Sequence, residues 1–463
     1  MQILDSTLRE GELFKVLPAE TRVKLASRLG ESGVRRVEVT VHYPPRTRFE
    51  DNVRVVRALE DGGAEVILHG RATPEDLASM SKYEVEGCAL YIAVSKIHRE
   101  HKLHGITEDE AIERLAESVS RAKELGFRYI RATLEDASRV FMEEGDQGLE
   151  LVRTSAERLR SAGATLLSPP DTSGLMTPQN ARAFFSKARS LSVLPMAAHF
   201  HNDYGLASAN TIEAALGGAE ELHVTLMGVG DRNGIADMYE VVATLEDVYG
   251  VDTGIERRSL RPLYGFFSKI ATVELPWRHP LSEAAQTIRA GVHQSMTVKR
   301  KDGYIPAKKL THDFGEPLYA IGPYLSHNLV QTILAPYSEI GLQDSRKVAE
   351  ALAVRFNGSA SGLNAVKAAI FDETGIEVPE HELRRYFVPE RFYVLLKLNP
   401  QYPAQDLIAE ISELEGVDGV DEVYGDADVV IRARAYPGKQ NPIAVIKQRY
   451  SHLIQEIKVM MTD

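Results

Sequence analysis

The sequence predicts an α/β chain: a closed (β/α)8 TIM barrel, a helical connector region, and a C-terminal ferredoxin-like α+β domain. Three observations predict it. Short β-branched or apolar runs alternate with longer amphipathic segments eight times within about 250 residues, the span of one such barrel. Polar residues of unusual type gather at the C-terminal ends of those runs, where barrel enzymes carry their chemistry. The last stretch, 391–463, reads β-α-β-β-α-β.

The eight strand runs are 2–5, 36–40, 65–69, 87–94, 129–133, 165–168, 195–201 and 221–226. Helices are expected between them, among others at 19–32, 108–125, 147–162 and 178–190. Thr107 with Glu110 offers a capping box, and Thr177-Pro178 a helix start with proline at the first position. Gly126 and Gly163 supply left-handed helix ends. Beyond residue 270 the rhythm changes. Residues 274–330 are rich in Pro, Gly and charge and read as an extended connector, and 330–388 read as helical. Pro389 marks a boundary, giving expected domains of 1–270, 271–388 and 389–463.

Composition narrows the function. The 463 residues are 44% hydrophobic and 26% charged with a formal net charge of −12, a balance that disfavours nucleic acid or an anionic membrane as partner. Cys88 is the single cysteine, which excludes an internal disulfide and a multi-cysteine zinc site. No apolar run approaches a membrane span, and the N-terminus has no signal-peptide pattern, so a cytoplasmic protein is expected.

Arg9 and Glu10 follow the first strand, His69 closes the third, and Ser95 follows the fourth. Arg131 and Thr133 end the fifth, Asp171-Thr172 follow the sixth, His199 and His201 end the seventh, and Asp231-Arg232-Asn233 follow the eighth. Residues two apart on a strand share a face, so both imidazoles of His199-Phe200-His201 can reach one cation. With Glu10 across the barrel they form a two-imidazole, one-carboxylate set suited to Zn²⁺, Mn²⁺, Co²⁺ or Mg²⁺. Arg9 would then face an oxygen that becomes negative during reaction.

These residues resemble a known family. Asp5-Ser6-Thr7-Leu8-Arg9-Glu10-Gly11-Glu12, Arg131-Ala132-Thr133-Leu134-Glu135-Asp136, Asp171-Thr172-Ser173-Gly174, His199-Phe200-His201-Asn202-Asp203, Gly230-Asp231-Arg232-Asn233-Gly234-Ile235 and Ala290-Gly291-Val292-His293 are similar to the homocitrate synthase and isopropylmalate synthase family. The likeness covers about residues 1–310. It implies acyltransferases that condense acetyl-CoA with a 2-oxo acid. His69, Glu38-Val39-Thr40 and the Arg232-Asn233-Gly234-Ile235 run lean toward the homocitrate branch. There His69 would take the distal carboxylate of 2-oxoglutarate, while Arg131, Thr133 and Thr172 would hold the substrate's carboxylate oxygens. His293 would be the base, with Tyr304 beside it, and the connector would cover a neighbouring subunit's barrel in a homodimer or higher oligomer.

Leu13, Ala197 and Ile288 depart from the branch's usual Gln, acidic residue and His. They keep open a citrate, isopropylmalate or citramalate synthase, a metal-dependent lyase or aldolase, and a non-catalytic sensor. The tail, with Val423-Tyr424-Gly425-Asp426-Ala427-Asp428, resembles amino-acid-sensing domains. That likeness implies an effector groove near Gly425 and Asp428.

Overall fold

The computed structural model describes residues 1–44, 47–337, 341–355, 363–387, 390–401, 404–435 and 441–462. Two compact units emerge, Met1–Ala271 and Thr272–Asp463.

In the first unit the strands are β1 (Gln2–Asp5), β2 (Arg36–Thr40), β3 (Glu65–Arg71), β4 (Gly87–Ala93), β5 (Tyr129–Glu135), β6 (Leu166–Ser168), β7 (Ala197–Ala198) and β8 (Glu221–Val224). All pair in parallel in the order β6-β5-β4-β3-β2-β1-β8-β7. The ends meet: Leu167 bridges Met196, and the Leu167 amide donates to the Pro195 carbonyl at 3.0 Å. The sheet is therefore a closed barrel, and an open doubly wound sheet is excluded.

Helices form where expected because their ends are satisfied locally. Thr107 and Glu110 exchange both hydrogen bonds of a capping box, and the Thr177 hydroxyl accepts from the Asn180 amide. The helix Glu108–Glu124 buries Ala111, Ile112, Leu115, Val119 and Ala122, a stripe at three- and four-residue spacing that seals against the sheet. Gly163 ends the helix Asp146–Ala162 at φ +117°, a conformation that suits a residue without Cβ.

The seventh strand is shorter than the sequence predicts. Regular pairing with β8 covers only Ala197 and Ala198, while Met196, Phe200 and His201 make single bridges to three other segments. The chain stays extended there but is shared among neighbours rather than held by one ladder.

Among the described residues the second unit carries two separate hydrophobic clusters. One, including Ile288, Leu329, Ile333, Val348, Leu352, Val366, Ile370 and Phe387, unites the helices His327–Leu334, Leu342–Arg355 and Leu363–Thr374. The connector is not extended throughout. It contains the helical turns Glu283–Gln286, Gly291–Thr297 and Ala307–Lys309, and a two-stranded parallel pair of β9 (Thr287–Ile288) and β10 (Leu318–Tyr319). Buried Gln294 explains the order: its amide donates to the carbonyls of Ile288 and Ala320 at 3.1 and 3.2 Å and accepts from the Ser326 amide at 2.9 Å. Side-chain bonds of this kind satisfy loop backbone that hydropathy patterning does not reveal.

Pro389 lies outside the described residues. Beyond it come β11 (Glu390–Leu398), the helix Ala404–Ser412, β12 (Val417–Glu422), β13 (Val429–Ala435), the helix Pro442–Tyr450 and β14 (Ile454–Thr462). The sheet order is β12-β13-β11-β14, all antiparallel, over a core that includes Val394, Leu396, Ile411, Val429, Ile431 and Ile446. This is the expected ferredoxin-like tail.

Cys88 lies on β4 with no exposure, and burial pushes its thiol up to about 12. The native protein should therefore release no colour from Ellman's reagent over an hour, and one thiol equivalent after denaturation. Rapid reaction of the native protein would show that β4 opens far more readily than its packing implies.

Candidate metal centre

The turn after β1 is built by the first residues of the Asp-Ser-Thr-Leu-Arg-Glu motif. Asp5 accepts from the Thr7 amide at 3.0 Å and the Thr7 hydroxyl at 2.7 Å. The Ser6 amide donates to the Val224 carbonyl at 2.8 Å, and the Leu226 amide donates to the Thr7 hydroxyl at 2.9 Å, so the turn is tied to β8. Arg9 and Glu10 then start a helical turn, both amides donating to the Ser6 carbonyl.

His199 and His201 follow β7, their rings 5.2 Å apart between centroids. Asp171 fixes this stretch by donating to the His199 carbonyl and accepting from the His201 amide. One donor atom each from Glu10, His199 and His201 lie within 4.8 Å of one another, and His199 Nε2 is 3.7 Å from Glu10 Oε1. All three side chains are buried. Glu10 Oε2 and His201 Nδ1 have no hydrogen-bond partner, a costly state for buried polar atoms unless something else engages them. Burial, then the nearby His201 and Arg9, holds the His199 imidazole well below its ordinary range. Burial lowers His201 as well. Both rings are therefore neutral, which is the ligating form. Donor type, spacing and unsatisfied atoms fit a divalent cation with positions left open for substrate or water.

Around this cluster the charges are paired. Fully buried Glu38 accepts from Arg9 Nε and Ser6 Oγ, each at 2.6 Å, and from Arg131 Nη2. Burial alone would raise the Glu38 carboxyl, but Arg9 and Arg131 reverse that and hold it well below the usual carboxylate range. Arg9 also binds Glu10 Oε1 through Nη1. Thr133 Oγ1 and Arg131 Nε are buried and unpartnered. Thr172 Oγ1 accepts from the Asp136 amide at 2.9 Å, and its carbonyl accepts from Arg232 at 2.8 Å. Arg232, at φ +55°, also grips both oxygens of Asp203, which joins the loops after β6, β7 and β8. Gly234, at φ +81°, follows in that loop; a Cβ there would lie 1.8 Å from the Gly228 carbonyl oxygen.

His69 is partly exposed and stacked on Tyr91 at 5.1 Å, within a strand that continues to Arg71. Burial, then Arg9, pushes its imidazole down to about 3, so the ring is neutral. Leu13 is 62% exposed, Ala197 is buried in β7, and Ile288 packs into the core of the second unit.

Thus the barrel brings together Arg9, Glu10, Arg131, His199 and His201. His293 and Tyr304 stand in the second unit, stacked at 3.8 Å with Tyr304 half exposed. Gly425 and Asp428 are there too. Asp428 already accepts from the Leu398 amide at 2.8 Å and from Lys397 Nζ at 3.0 Å, and the Gly425 carbonyl accepts from the same ammonium. Two residues escape a search confined to strand ends: Glu221 and His223, both fully buried on β8. Their signal was an acidic residue and a histidine two apart in a strand expected to be apolar.

A closed eight-stranded barrel with a carboxylate and two imidazoles converging after β1 and β7 defines an enzyme of the TIM-barrel class with a cation-type donor set. The chain belongs to the HMGL-like family, whose profile matches residues 1–265. It is 27% identical to homocitrate synthase of Saccharolobus solfataricus over 94% of this chain and 92% of that protein. It is 29% identical to (R)-citramalate synthase of Methanocaldococcus jannaschii over 97% of this chain and 81% of that protein. Hydroxymethylglutaryl-CoA lyase of Bacillus subtilis shares the fold at a TM-score of 0.52, with 20% identity over 59% of this chain and 95% of the lyase. No helix among the described residues is long and apolar enough to cross a membrane.

Removing Glu38 would take the closest carboxylate from buried Arg131 and leave partly buried Arg9 with Glu10 alone. Glu38→Ala should cost about 3–5 kcal/mol, seen as a melting temperature lower by roughly 10 °C. An unchanged melting temperature would mean that the pairing is dispensable. Asp5 supplies a pH signature, because burial, opposed by the Thr7 bonds, raises its carboxyl from 3.8 to about 7. A raised acid is easiest to accommodate below its unfolded value, and stability drains away as pH climbs from 3.8 through 7. Asp5→Asn should therefore compare more favourably with the parent at pH 8 than at pH 5 in paired thermal melts; the opposite order would contradict the raised acid.

Proposed function

We propose that this chain is a metal-dependent acyltransferase that condenses acetyl-CoA with a 2-oxo dicarboxylic acid, 2-oxoglutarate giving homocitrate. The observation that carries the reading is the convergence of Glu10, His199 and His201 beside Arg9. Relatives named homocitrate synthase and citramalate synthase run over nearly the whole chain, whereas the matched lyase covers 59% of it, and that difference favours a synthase.

A cation held by Glu10, His199 and His201 would act as a Lewis acid toward the 2-oxo carbonyl and fix its position. Arg9, clamped by Glu38, presents positive charge without having to reorganise, so it can stabilise an oxygen that gains negative charge. Thr133 Oγ1 and Arg131 Nε are buried donors with no partner, and a substrate carboxylate would satisfy them. Thr172, bonded to the loop after β5, would help through that loop. His69, neutral and stacked, can donate a hydrogen bond to a distal carboxylate where an apolar wall would reject one. His293, with Tyr304 against its ring, would take the proton from the acetyl methyl. Both would come from the partner subunit if the enzyme is the homodimer we expect. The tail 389–463 would be a regulatory module that takes an amino acid near Gly425 and Asp428, and a cytoplasmic enzyme fits the whole.

The second reading is citramalate synthase, which would use the smaller 2-oxo acid pyruvate. The match to the archaeal citramalate synthase and the exposed apolar Leu13 favour it.

Coenzyme A release with acetyl-CoA, Mn²⁺ and each of 2-oxoglutarate, oxaloacetate, 2-oxoisovalerate and pyruvate decides between them. We expect the highest kcat/KM with 2-oxoglutarate and loss of turnover with every acceptor in Glu10→Ala. His69→Ala should raise KM for 2-oxoglutarate by roughly 10–100-fold, the worth of one hydrogen bond to a charged group. Preference for pyruvate would establish the second reading, and release with none of the four would reject a synthase.

A further inference from the structure

Glu221 and His223 lie on β8, two residues apart, and belong to none of the roles above. His223 Nδ1 is 3.3 Å from His199 Nδ1, and its other nitrogen, Nε2, is 3.1 Å from Glu221 Oε1. Glu221 is in turn fixed by the Tyr129 hydroxyl at 2.8 Å and by Arg36 Nη1 at 2.9 Å. A buried polar chain therefore runs along the barrel from His199 to Arg36, which is only partly buried.

The proton positions in this chain are coupled. His199 faces Glu10 through Nε2. For Nε2 to offer a lone pair to a cation, the neutral His199 ring must carry its proton on Nδ1 and donate it to His223 Nδ1. His223 must then carry its own proton on Nε2, and Glu221 Oε1, which can only accept, receives it. Arg131 Nη1 opposes this order, since it also reaches His223 Nε2 at 3.0 Å and can only donate. The Arg131 contact favours the reversed tautomers, in which His199 Nε2 holds a proton and cannot ligate.

We propose that His223 is a positioning residue for the cation site: anchored by Glu221, it selects the His199 tautomer that leaves Nε2 free to ligate. The inference rests on the metal reading of Glu10, His199 and His201. His201 is placed differently: its Nδ1 is the buried, unpartnered atom already counted toward the cation. His199 is thus the ligand whose orientation depends on a second residue, as in other carboxylate–histidine–metal arrangements.

The test is Mn²⁺ binding to the full-length protein after chelation, read from the free-ion EPR signal, with circular dichroism and thermal melts as folding controls. His223→Leu should weaken Mn²⁺ by roughly 10–100-fold. His223→Asn, whose amide oxygen still accepts from His199, should stay within about threefold of the parent. Glu221→Gln, which keeps an acceptor but loses the charge, should fall between. Affinity unchanged in His223→Leu overturns the proposal, and so does equal weakening in His223→Leu and His223→Asn, since packing would then explain both. If His223→Leu does not fold, Glu221→Gln decides: unchanged Mn²⁺ affinity in that variant overturns the proposal. Parent protein that binds Mn²⁺ no better than Glu10→Ala overturns the metal reading and this inference with it, whereas a bound ion without turnover would count only against the synthase.

Discussion

The pairing of Glu38 with Arg9 and Arg131 is the constraint on which the rest of the barrel depends. A barrel interior is ordinarily filled by branched apolar layers, and here one small apolar cluster is formed by Leu4, Ile67 and Ala89. Elsewhere it holds Arg9, Arg36 and Arg131 against Glu10, Glu38 and Glu221, three cations and three anions in mutual contact. Taking such charges out of water is expensive, and only complete pairing with good hydrogen bonds offsets the cost. An apolar filling would stabilise a barrel at least as well. What the paired set adds is definition: each charged group has one place where it is satisfied, so the side chains facing the site cannot drift.

Backbone geometry and that electrostatic frame meet at the turn after β1. Asp5 and Thr7 close the turn, the Thr7 hydroxyl ties it to Leu226, and the turn delivers Arg9 to Glu38 and Glu10 to the imidazoles. On the opposite side the Arg232–Asp203 pair and the Thr172 carbonyl lock the loops that follow the last three strands. Catalytic side chains on loops need this kind of support from neighbouring segments. The motifs that stand out in the sequence thus divide into residues that face the site and residues that hold the loops carrying them.

Most of the barrel was legible because its signals are local. Strand runs, the Thr107 capping box and the Gly163 helix end each depend on residues within a few positions. The shortened β7 and the ordered connector were not legible, since both rest on distant partners, the bridges at Met196 and Phe200 and the buried Gln294 amide. For the site, looking at the C-terminal ends of strands found Glu10, His199 and His201. The same filter passed over Glu221, which opens β8 from the other end, and it treated Glu38 as part of a family likeness instead of the carboxylate that orders two arginines. Polar residues at alternate positions within a short barrel strand would have been the better signal, since alternate residues share the inward face.

Arg131 shows why such a site resists simple assignment of roles. Its Nη2 is committed to Glu38, its Nη1 lies against His223, and only Nε remains unpartnered. A substrate carboxylate reaching this guanidinium could not take the usual two-pronged grip without displacing Glu38, and Glu38 is also the anchor for Arg9. Substrate recognition by Arg131 would therefore be single-pronged and shared with the free Thr133 hydroxyl, which leaves Arg9 clamped. Under the proposed function, this geometry would limit binding strength at the carboxylate and keep the Arg9 charge rigid, the arrangement that favours stabilising a transition state over gripping a ground state.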